Sequence, residues 1–286
     1  MDSRYIGRKE SDFPQKLLGV KGEIKGLWVN GDIELVKGKK IVAIVGSRKM
    51  SQYGKRVLAE IVPKFVEMGY VTISGFMYGI DIEMHRLTIE NGGKTIGVFG
   101  WGIEAPIIPE NENLYHKVLE SEGLFISELP PKQLGTLWSF PQRNRIVVGL
   151  ADLLIVVEAG IKSGSLNSAE WARKMGKPVY AIPGSIFSNV SLGCNWLLQQ
   201  NLAKPMTLDF FKDKNYSEKV RINREKATFN NTESNLIALL TLEGPQSLNE
   251  LVRRTEKPVG EVSAILTSLL LRGEVGEERG VWTVSK

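Results

Sequence analysis

Short apolar runs alternate with amphipathic helical patterns from residue 41 onwards, and this alternation constrains the fold more than any other feature of the sequence. The first run, IVAIV, is rich in β-branched residues and ends at Gly46, as a buried parallel strand does. A helical pattern then fills residues 51–68. Further buried strands are predicted at residues 70–73, 95–99, 124–126, 153–157 and 178–182. The sequence therefore predicts an α/β domain in which helices cover both faces of a parallel sheet.

The pattern changes after residue 211. Residues 212–229 carry six basic and three acidic residues but few large apolar ones, which is typical of a linker. Helical patterns then precede a hairpin pattern that starts at Glu274, and this combination predicts a winged-helix domain. The three helical patterns cover residues 234–242, 247–254 and 259–272, and the second begins with the capping-box pair Ser247 and Glu250.

We therefore expect three regions. The first is a large domain over residues 1–211, whose first 40 residues form a leader that packs onto it. The second is a linker over residues 212–229, and the third is a winged-helix domain over residues 230–286.

The net charge of +5 is unevenly distributed. Residues 230–286 contain six Lys or Arg and eight Asp or Glu, whereas residues 1–229 contain 31 and 24. The large domain is therefore the expected site for an anionic partner. In the winged helix, the third helical pattern, residues 259–272, is the expected recognition helix, and it has no basic residue before Arg272. It should bury Val262, Ile265, Leu266, Leu269 and Leu270. Recognition of duplex DNA in the major groove usually needs basic or amide side chains on this helix. The winged-helix domain is therefore expected to have a protein-contact or regulatory role.

The single cysteine, Cys194, excludes an internal disulfide and a cysteine-based zinc site, and it favours a reducing compartment. Two histidines leave little material for a metal centre. No run approaches the roughly 18 apolar residues that a membrane helix needs, and the N-terminal residues lack the apolar core of a secretory signal. We therefore expect a cytoplasmic protein without a metal site or membrane contact.

In open α/β sheets ligands bind where strands end and helices begin, and four loops meet that description. The first holds Gly46, Ser47, Arg48 and Lys49, directly after the first strand. Glycine lets an anion approach the backbone, the next helix offers free N–H groups, and the arginine offers a planar fork for phosphate. An ordinary turn with solvated basic side chains would have the same residues, so this loop alone leaves both interpretations open.

The second loop contains Ser74, Gly75 and Gly79, and its two glycines again favour a close approach to the backbone. Asp81 is expected to be the N-cap of the following helix. His85, four residues on, would share a helix face with Asp81. No Ser or Cys nucleophile motif accompanies this pair, which argues against catalysis.

The third loop holds Phe140, Arg143, Asn144 and Arg145 at a predicted helix start. Arginine opposes the helix dipole at an N-terminus, so two arginines there indicate a bound anion. Because loops at the carboxyl ends of parallel strands share one edge of the sheet, we expect Arg48 and both of these arginines to face one pocket.

The fourth loop, Ser163, Gly164 and Ser165, suits either a phosphate or plain helix capping. The sequence lacks GxxxxGK[ST], and no GxGxxG follows the first strand, so ATP hydrolysis of the P-loop kind and a dinucleotide cofactor are disfavoured. Four convergent polar loops without a nucleophile favour binding over catalysis. We expect no catalytic residue, no cofactor and no metal ligand.

In their order along residues 12–205, these loops resemble the DNA-processing protein A family, also called Smf. The matching segments are VAIVGSR at 42–48, SGFMYGID at 74–81, GWG at 100–102, PEN at 109–111, ISELP at 126–130, FPQRNRIVVGL at 140–150, VVEA at 156–159, SGSL at 163–166, PG at 183–184 and GCN at 193–195. The resemblance implies an extended Rossmann-like fold that binds single-stranded DNA in a basic pocket near the GSR and RNR segments. It also implies protection of incoming single strands, loading of the RecA recombinase during natural transformation, and a homodimer formed through the Rossmann-like domain.

A second hypothesis is a nucleotide-processing enzyme of the lysine-decarboxylase-like phosphoribohydrolase type, which shares a Rossmann-like core and a glycine-rich phosphate loop. Its signature, PGGxGTxxE, is only faintly matched by SGSLNSAE at 163–170. Release of a free base from a nucleoside monophosphate would support this alternative. A plain protein scaffold is a third hypothesis, and the basic loops make it the least favoured.

Overall fold

The computed structural model describes residues 3–211, 232–278 and 280–284 of the 286-residue chain. The chain divides into two compact units, Met1–Lys212 and Asp213–Lys286. The predicted linker, residues 212–229, lies outside the described residues. In the described part of the chain, no helix is long and apolar enough to cross a membrane.

A nine-stranded sheet forms the centre of the large unit, in the spatial order β1-β2-β6-β5-β4-β3-β7-β8-β9. The strands are β1 Arg4–Gly7, β2 Gly26–Gly31, β3 Ile41–Val45, β4 Val71–Ser74, β5 Thr95–Phe99, β6 Leu124–Ser127, β7 Leu153–Val156, β8 Val179–Ala181 and β9 Lys204–Pro205. Strands β3 to β9 run parallel. The chain builds outward from β3 through β4 to β6 on one side and through β7 to β9 on the other. The strand order therefore reverses between β3 and β7, where ligands of such sheets bind.

Helices cover both faces of this sheet, as the sequence predicts. They are α1 Gln52–Glu67, α2 Ile80–Glu90, α3 Glu112–Glu120, α4 Ser139–Leu150, α5 Gly164–Lys174 and α6 Leu192–Gln199, with short 3₁₀ helices at Gln15–Leu17, Ile33–Val36 and Pro109–Asn111. Successive residues of β3 point to opposite faces. Ala43 and Val45 pack in the core beneath α4 and α5, whereas Val42 and Ile44 pack against α1 and α2.

The six predicted buried strands are all present, with ends within one residue of the prediction. The leader contributes more than the packing contact that we expected. Its strand β2 pairs antiparallel with β6, and β1 pairs antiparallel with β2. Strand β1 is an edge strand in which only Ile6 is buried, so its sequence carries little apolar alternation.

The small unit contains α7 Thr232–Glu243, α8 Leu248–Thr255 and α9 Val259–Leu271, with a small sheet in the order β10-β12-β11. Its strands are β10 Gln246–Ser247, β11 Val275–Glu278 and β12 Val281–Val284. The predicted capping box of Ser247 and Glu250 is present at the start of α8. Helix α9 buries Val262, Leu266 and Leu269, but Leu270 is 40% exposed. The prediction that Leu270 is buried is therefore wrong, because one helix face cannot bury two successive residues fully against a small core.

A buried polar network lies between α2 and the sheet. The His85 Nδ1 atom is 2.6 Å from the Thr95 hydroxyl, which in turn bonds the Thr72 hydroxyl at 2.8 Å. Burial, together with the positive charge of Arg143, lowers the pKa of His85 to about 3. His85 is therefore neutral in the folded protein throughout the physiological pH range.

This burial predicts an acid-dependent loss of stability. An unfolded histidine titrates near pH 6.5, so between pH 6.5 and 3 the unfolded chain binds one more proton at His85 than the folded chain. The free energy of unfolding should therefore fall with decreasing pH, by up to about 1.4 kcal/mol per pH unit from this residue.

The comparison is between the wild type and His85→Asn, which keeps a polar group beside Thr95 but does not titrate. Urea unfolding between pH 7.5 and 4.5 can be followed by tryptophan fluorescence, since five of the six tryptophans lie in the large unit. The wild type should lose stability more steeply below pH 6.5. Parallel pH profiles for the two proteins would contradict a buried, neutral His85.

Candidate nucleic-acid interface

A cavity of about 640 Å³ opens at the carboxyl ends of the central strands. Val45 at the end of β3, Gly75 directly after β4 and Gly160 after β7 all contribute to its wall. It therefore lies where the strand order reverses, which is the usual ligand position in an open α/β sheet.

The structure brings most of the sequence-predicted site residues to this cavity. Those that line it are Gly46, Ser47, Arg48, Lys49, Gly75, Phe140, Arg143, Asn144, Ser163, Gly164 and Ser165. Ser74, Gly79 and Arg145 do not line it. The four loops thus converge, as their positions after strands imply. Three of the predicted residues, however, do not line the cavity.

The loop after β3 is held in shape by its own hydrogen bonds and by α2 behind it. The Ser47 hydroxyl accepts from the Lys49 amide and donates to the Lys49 carbonyl, each at 3.0 Å, and the Ile80 amide donates to the Ser47 carbonyl at 3.1 Å. Gly79 has a φ of 74°, and a Cβ there would lie 2.3 Å from the Ser47 carbonyl oxygen. Gly79 therefore supports the loop from behind rather than meeting a ligand.

Three exposed cations stand at the cavity: Arg48, Lys49 and Lys162. The Arg48 guanidinium lies 5.4 Å from the centre of the Phe140 ring. Within the described part of the chain, none of the three forms an ion pair with a carboxylate. Their charge is therefore available to an anion that enters the cavity.

Arg143 forms part of the cavity floor and is buried. Its guanidinium donates to the Gly75 carbonyl at 2.6 Å and to the Val98 carbonyl, so it ties the end of β4 to β5. A Cβ at Gly75 would lie 2.4 Å from this guanidinium, which explains the glycine. Burial lowers the pKa of Arg143 to about 10, against an opposing effect of the Asp81 charge, so the side chain remains cationic at neutral pH.

Asp81 is not the N-cap that the sequence analysis expected. Helix α2 begins at Ile80 with Gly79 as its N-cap. The Asp81 side chain instead lines the cavity, where it accepts a 3.4 Å hydrogen bond from the Met77 amide. Burial raises the pKa of Asp81, whereas Arg143 acts to lower it.

The N-terminus of α5 completes the cavity wall. Ser163 is its N-cap and accepts from the Ser165 amide at 3.2 Å. The Asn144 amide group donates to the Gly164 carbonyl at 3.3 Å and so connects α4 to this turn. A helix N-terminus of this kind favours an anion through its N–H groups and its dipole. The capping and phosphate-binding interpretations are compatible here, because Ser163 caps a helix that starts at the cavity.

The structure corrects the predicted role of Arg145. Helix α4 begins at Ser139, so both arginines lie in its second turn rather than at its start. Residues two apart on a helix point to opposite sides, and Arg145 points away from Arg143. It is 3% exposed and places one guanidinium nitrogen 2.7 Å from both carboxylate oxygens of Glu128. The prediction that Arg145 faces the pocket is therefore wrong.

Several lining residues were not identified from the sequence. They are Met77, Leu137, Val147, Gly160, Lys162, Ser168, Asn189 and Val190, together with Asp81 as a wall residue. Lys162 directly precedes the fourth loop. It could have been predicted from the sequence, because it is a basic residue beside an expected anion site. Asn189 and Val190 lie in the segment between β8 and α6, and no motif marked that segment.

The chain is similar to known proteins in both sequence and fold. The family model for DNA recombination-mediator protein A matches residues 4–214, and the model of the DprA winged helix domain matches residues 224–280. The chain is 39% identical over 175 residues to the DNA processing protein DprA of Bacillus subtilis, which covers 61% of this chain and 58% of that protein. The chain spans about half the length of the curated relatives it matches.

Solved structures give the same result. The X-ray structure of DNA processing protein A from Streptococcus pneumoniae has a TM-score of 0.66 at 35% identity, over 72% of each chain. A solved structure of DNA processing protein A from Helicobacter pylori has a TM-score of 0.67 at 27% identity, over 75% of this chain and 97% of that one. The latter is described as showing a unique single-stranded DNA binding mode.

The buried pair of Arg145 and Glu128 predicts a stability effect. Arg145→Met should lower the free energy of unfolding by about 3 kcal/mol, because it leaves a largely buried carboxylate without its partner. Replacing both residues, as in Glu128→Leu with Arg145→Met, should recover much of this loss. Urea unfolding measures both effects.

Lys162→Met is the matched control, since it also replaces a cation with methionine but at an exposed position. Its effect should stay within about 0.5 kcal/mol. Wild-type stability for Arg145→Met would show that the pair contributes nothing to the fold.

Proposed function

Because this chain belongs to the DNA recombination-mediator protein A family, we propose that it binds single-stranded DNA in the cavity at the carboxyl ends of β3, β4 and β7. One observation carries the proposal: Arg48, Lys49 and Lys162 meet the N-terminus of α5 in one concave site and have no carboxylate partner among the described residues. A phosphate of the DNA backbone would supply the negative charge that these cationic groups lack as a partner.

The buried charge of Arg143 strengthens this site. Its acceptors are backbone carbonyls and a neighbouring side-chain amide oxygen, which carry no net charge. Asp81 opposes part of its charge from the same floor. If the negative charge of Asp81 offsets the positive charge of Arg143, the three exposed cations still give the cavity a net positive charge. The resulting field attracts phosphates.

A single strand suits this site better than a duplex. Duplex readers place a helix with basic or amide side chains in the major groove. The exposed residues of α9 carry no basic or amide side chain; they are Val259, Gly260, Glu261, Ala264, Thr267, Ser268, Leu270 and Leu271. The Helicobacter pylori relative, described as binding single-stranded DNA, supports the same preference.

We propose binding rather than turnover. The hydroxyls of Ser47 and Ser163 are engaged in the hydrogen bonds of their own loops, and among the described residues neither hydroxyl bonds a histidine or a carboxylate. The comparisons do not favour the phosphoribohydrolase alternative. Its test is release of a free base from a nucleoside monophosphate, which we expect this chain not to catalyse.

The family also suggests the wider role. We propose that the protein acts in the cytoplasm as a homodimer that protects incoming single strands during natural transformation and promotes RecA loading. These partners are proposals for the whole protein, because the chain spans only about half of its curated relatives. Light scattering tests the dimer, and RecA nucleation on coated single strands tests the loading.

We predict that the protein prefers single-stranded to duplex DNA and that its affinity depends on salt in a defined way. Wild-type protein should bind a thymidine oligonucleotide more tightly than duplex DNA of equal length. Arg48→Ala should weaken single-strand binding by about 1–3 kcal/mol, the scale of a charge-assisted hydrogen bond. It should also flatten the log–log salt slope by about 0.7, the value for one phosphate contact on a single strand.

Lys117→Ala, an exposed cation on α3 that does not line the cavity, is the control and should change neither quantity. Arg48→Lys should restore only part of the affinity, because lysine keeps the charge but loses the planar fork. Unchanged affinity and slope for a folded Arg48→Ala protein would place the DNA elsewhere.

A further inference from the structure

Two pairs of exposed apolar side chains lie next to, or within three residues of, residues that line the cavity. Leu137 and Trp138 are 88% and 84% exposed, and Ile186 and Phe187 are 73% and 91% exposed. Leu137 itself lines the cavity, as do residues 189–190, which follow Phe187 closely in the chain. The rim of a cationic cavity therefore presents large apolar groups to solvent.

The two pairs lie on opposite sides of the cavity. Ser139, next to Trp138, donates from its hydroxyl to the Gly100 carbonyl just after β5. Phe187 lies in the loop that follows β8. In the sheet β5 and β8 stand on either side of the central β4, β3 and β7, from whose ends the cavity opens.

The backbone holds both aromatic residues in place. Trp138 is the N-cap residue of α4, and the hydroxyl of the next residue, Ser139, accepts from the Thr136 amide at 2.8 Å and donates to the Gly100 carbonyl at 2.6 Å. The Phe187 amide donates to the Ser185 hydroxyl at 3.2 Å. Both rings are therefore presented to solvent from hydrogen-bonded main chain.

Exposed aromatic groups beside a phosphate site match the chemistry of a single strand. When its phosphates lie against the cations, its bases must turn away from the cavity floor toward the rim. Every base has a π-face that stacks on an aromatic side chain without regard to sequence. We propose that Trp138 and Phe187 are stacking platforms for bases on the two sides of the phosphate held in the cavity. This inference rests on the function proposed above.

The experiment separates bases from phosphates. Binding is measured for a thymidine oligonucleotide and for an abasic oligonucleotide of the same length and charge. Each stacked base should contribute roughly 5- to 150-fold to the preference of the wild type for the thymidine strand. Trp138→Ala and Phe187→Ala should each reduce this preference while their affinity for the abasic strand and their salt slope stay at the wild-type values.

The Trp138→Phe variant distinguishes base stacking from a purely structural role of Trp138. Phenylalanine keeps a stacking ring, so most of the thymidine preference should remain. The tryptophan fluorescence quenched by the thymidine strand should nevertheless be smaller than in the wild type, because the stacked indole is gone. Leu271→Ala, an exposed apolar residue on α9, is the matched control and should change neither property.

The outcomes distinguish the two proposals. If the wild type binds neither strand, the proposed function itself fails. If the wild type binds both strands equally, or if Trp138→Ala and Phe187→Ala keep the full thymidine preference, DNA binding stands and the stacking platforms are wrong. Light scattering adds one more outcome: variants that keep the preference but lose self-association would assign the rim to a second copy of the chain and overturn the inference.

Discussion

The site depends on the hydrogen bonds of the Arg143 guanidinium. Its N–H groups hold the carbonyls of Gly75 and Val98, and so fix the ends of β4 and β5 against each other. A buried cation is costly unless it is hydrogen-bonded and paired. Here the hydrogen-bond acceptors are neutral, and Asp81 is the one carboxylate among the described residues that line the cavity. The carboxyl edge of the sheet therefore combines rigidity with positive charge.

Glycine makes this arrangement geometrically feasible. Gly75 leaves space for the guanidinium, and Gly79 lets the start of α2 approach the loop of Ser47 and Arg48. A side chain at either position would displace a cation or a loop of the cavity. The glycines that the sequence suggested as sites of phosphate approach thus act, in these two cases, by shaping the protein around the cavity.

The sequence was sufficient for the six strands β3 to β8 and for most of the cavity, because strand ends and loops obey strong topological rules. Parallel strands place their carboxyl ends on one edge, so four separate loops could be expected to converge. It failed for Arg145 because the helix start was placed too late. Once α4 begins at Ser139, the two-residue spacing from Arg143 turns Arg145 to the other side. Edge strands such as β1 carry too little alternation to be identified from one sequence.

The central claim is that phosphates bind at the loop after β3 and at the N-terminus of α5. The most direct measurement is a titration of ¹⁵N-labelled protein with a short thymidine oligonucleotide, in which the backbone amide resonances are followed by NMR. We expect the largest shifts at Ser47, Arg48, Gly164 and Ser165, with little change along α9. Shifts concentrated on α9 and the β11–β12 hairpin, with the cavity amides unchanged, would contradict it.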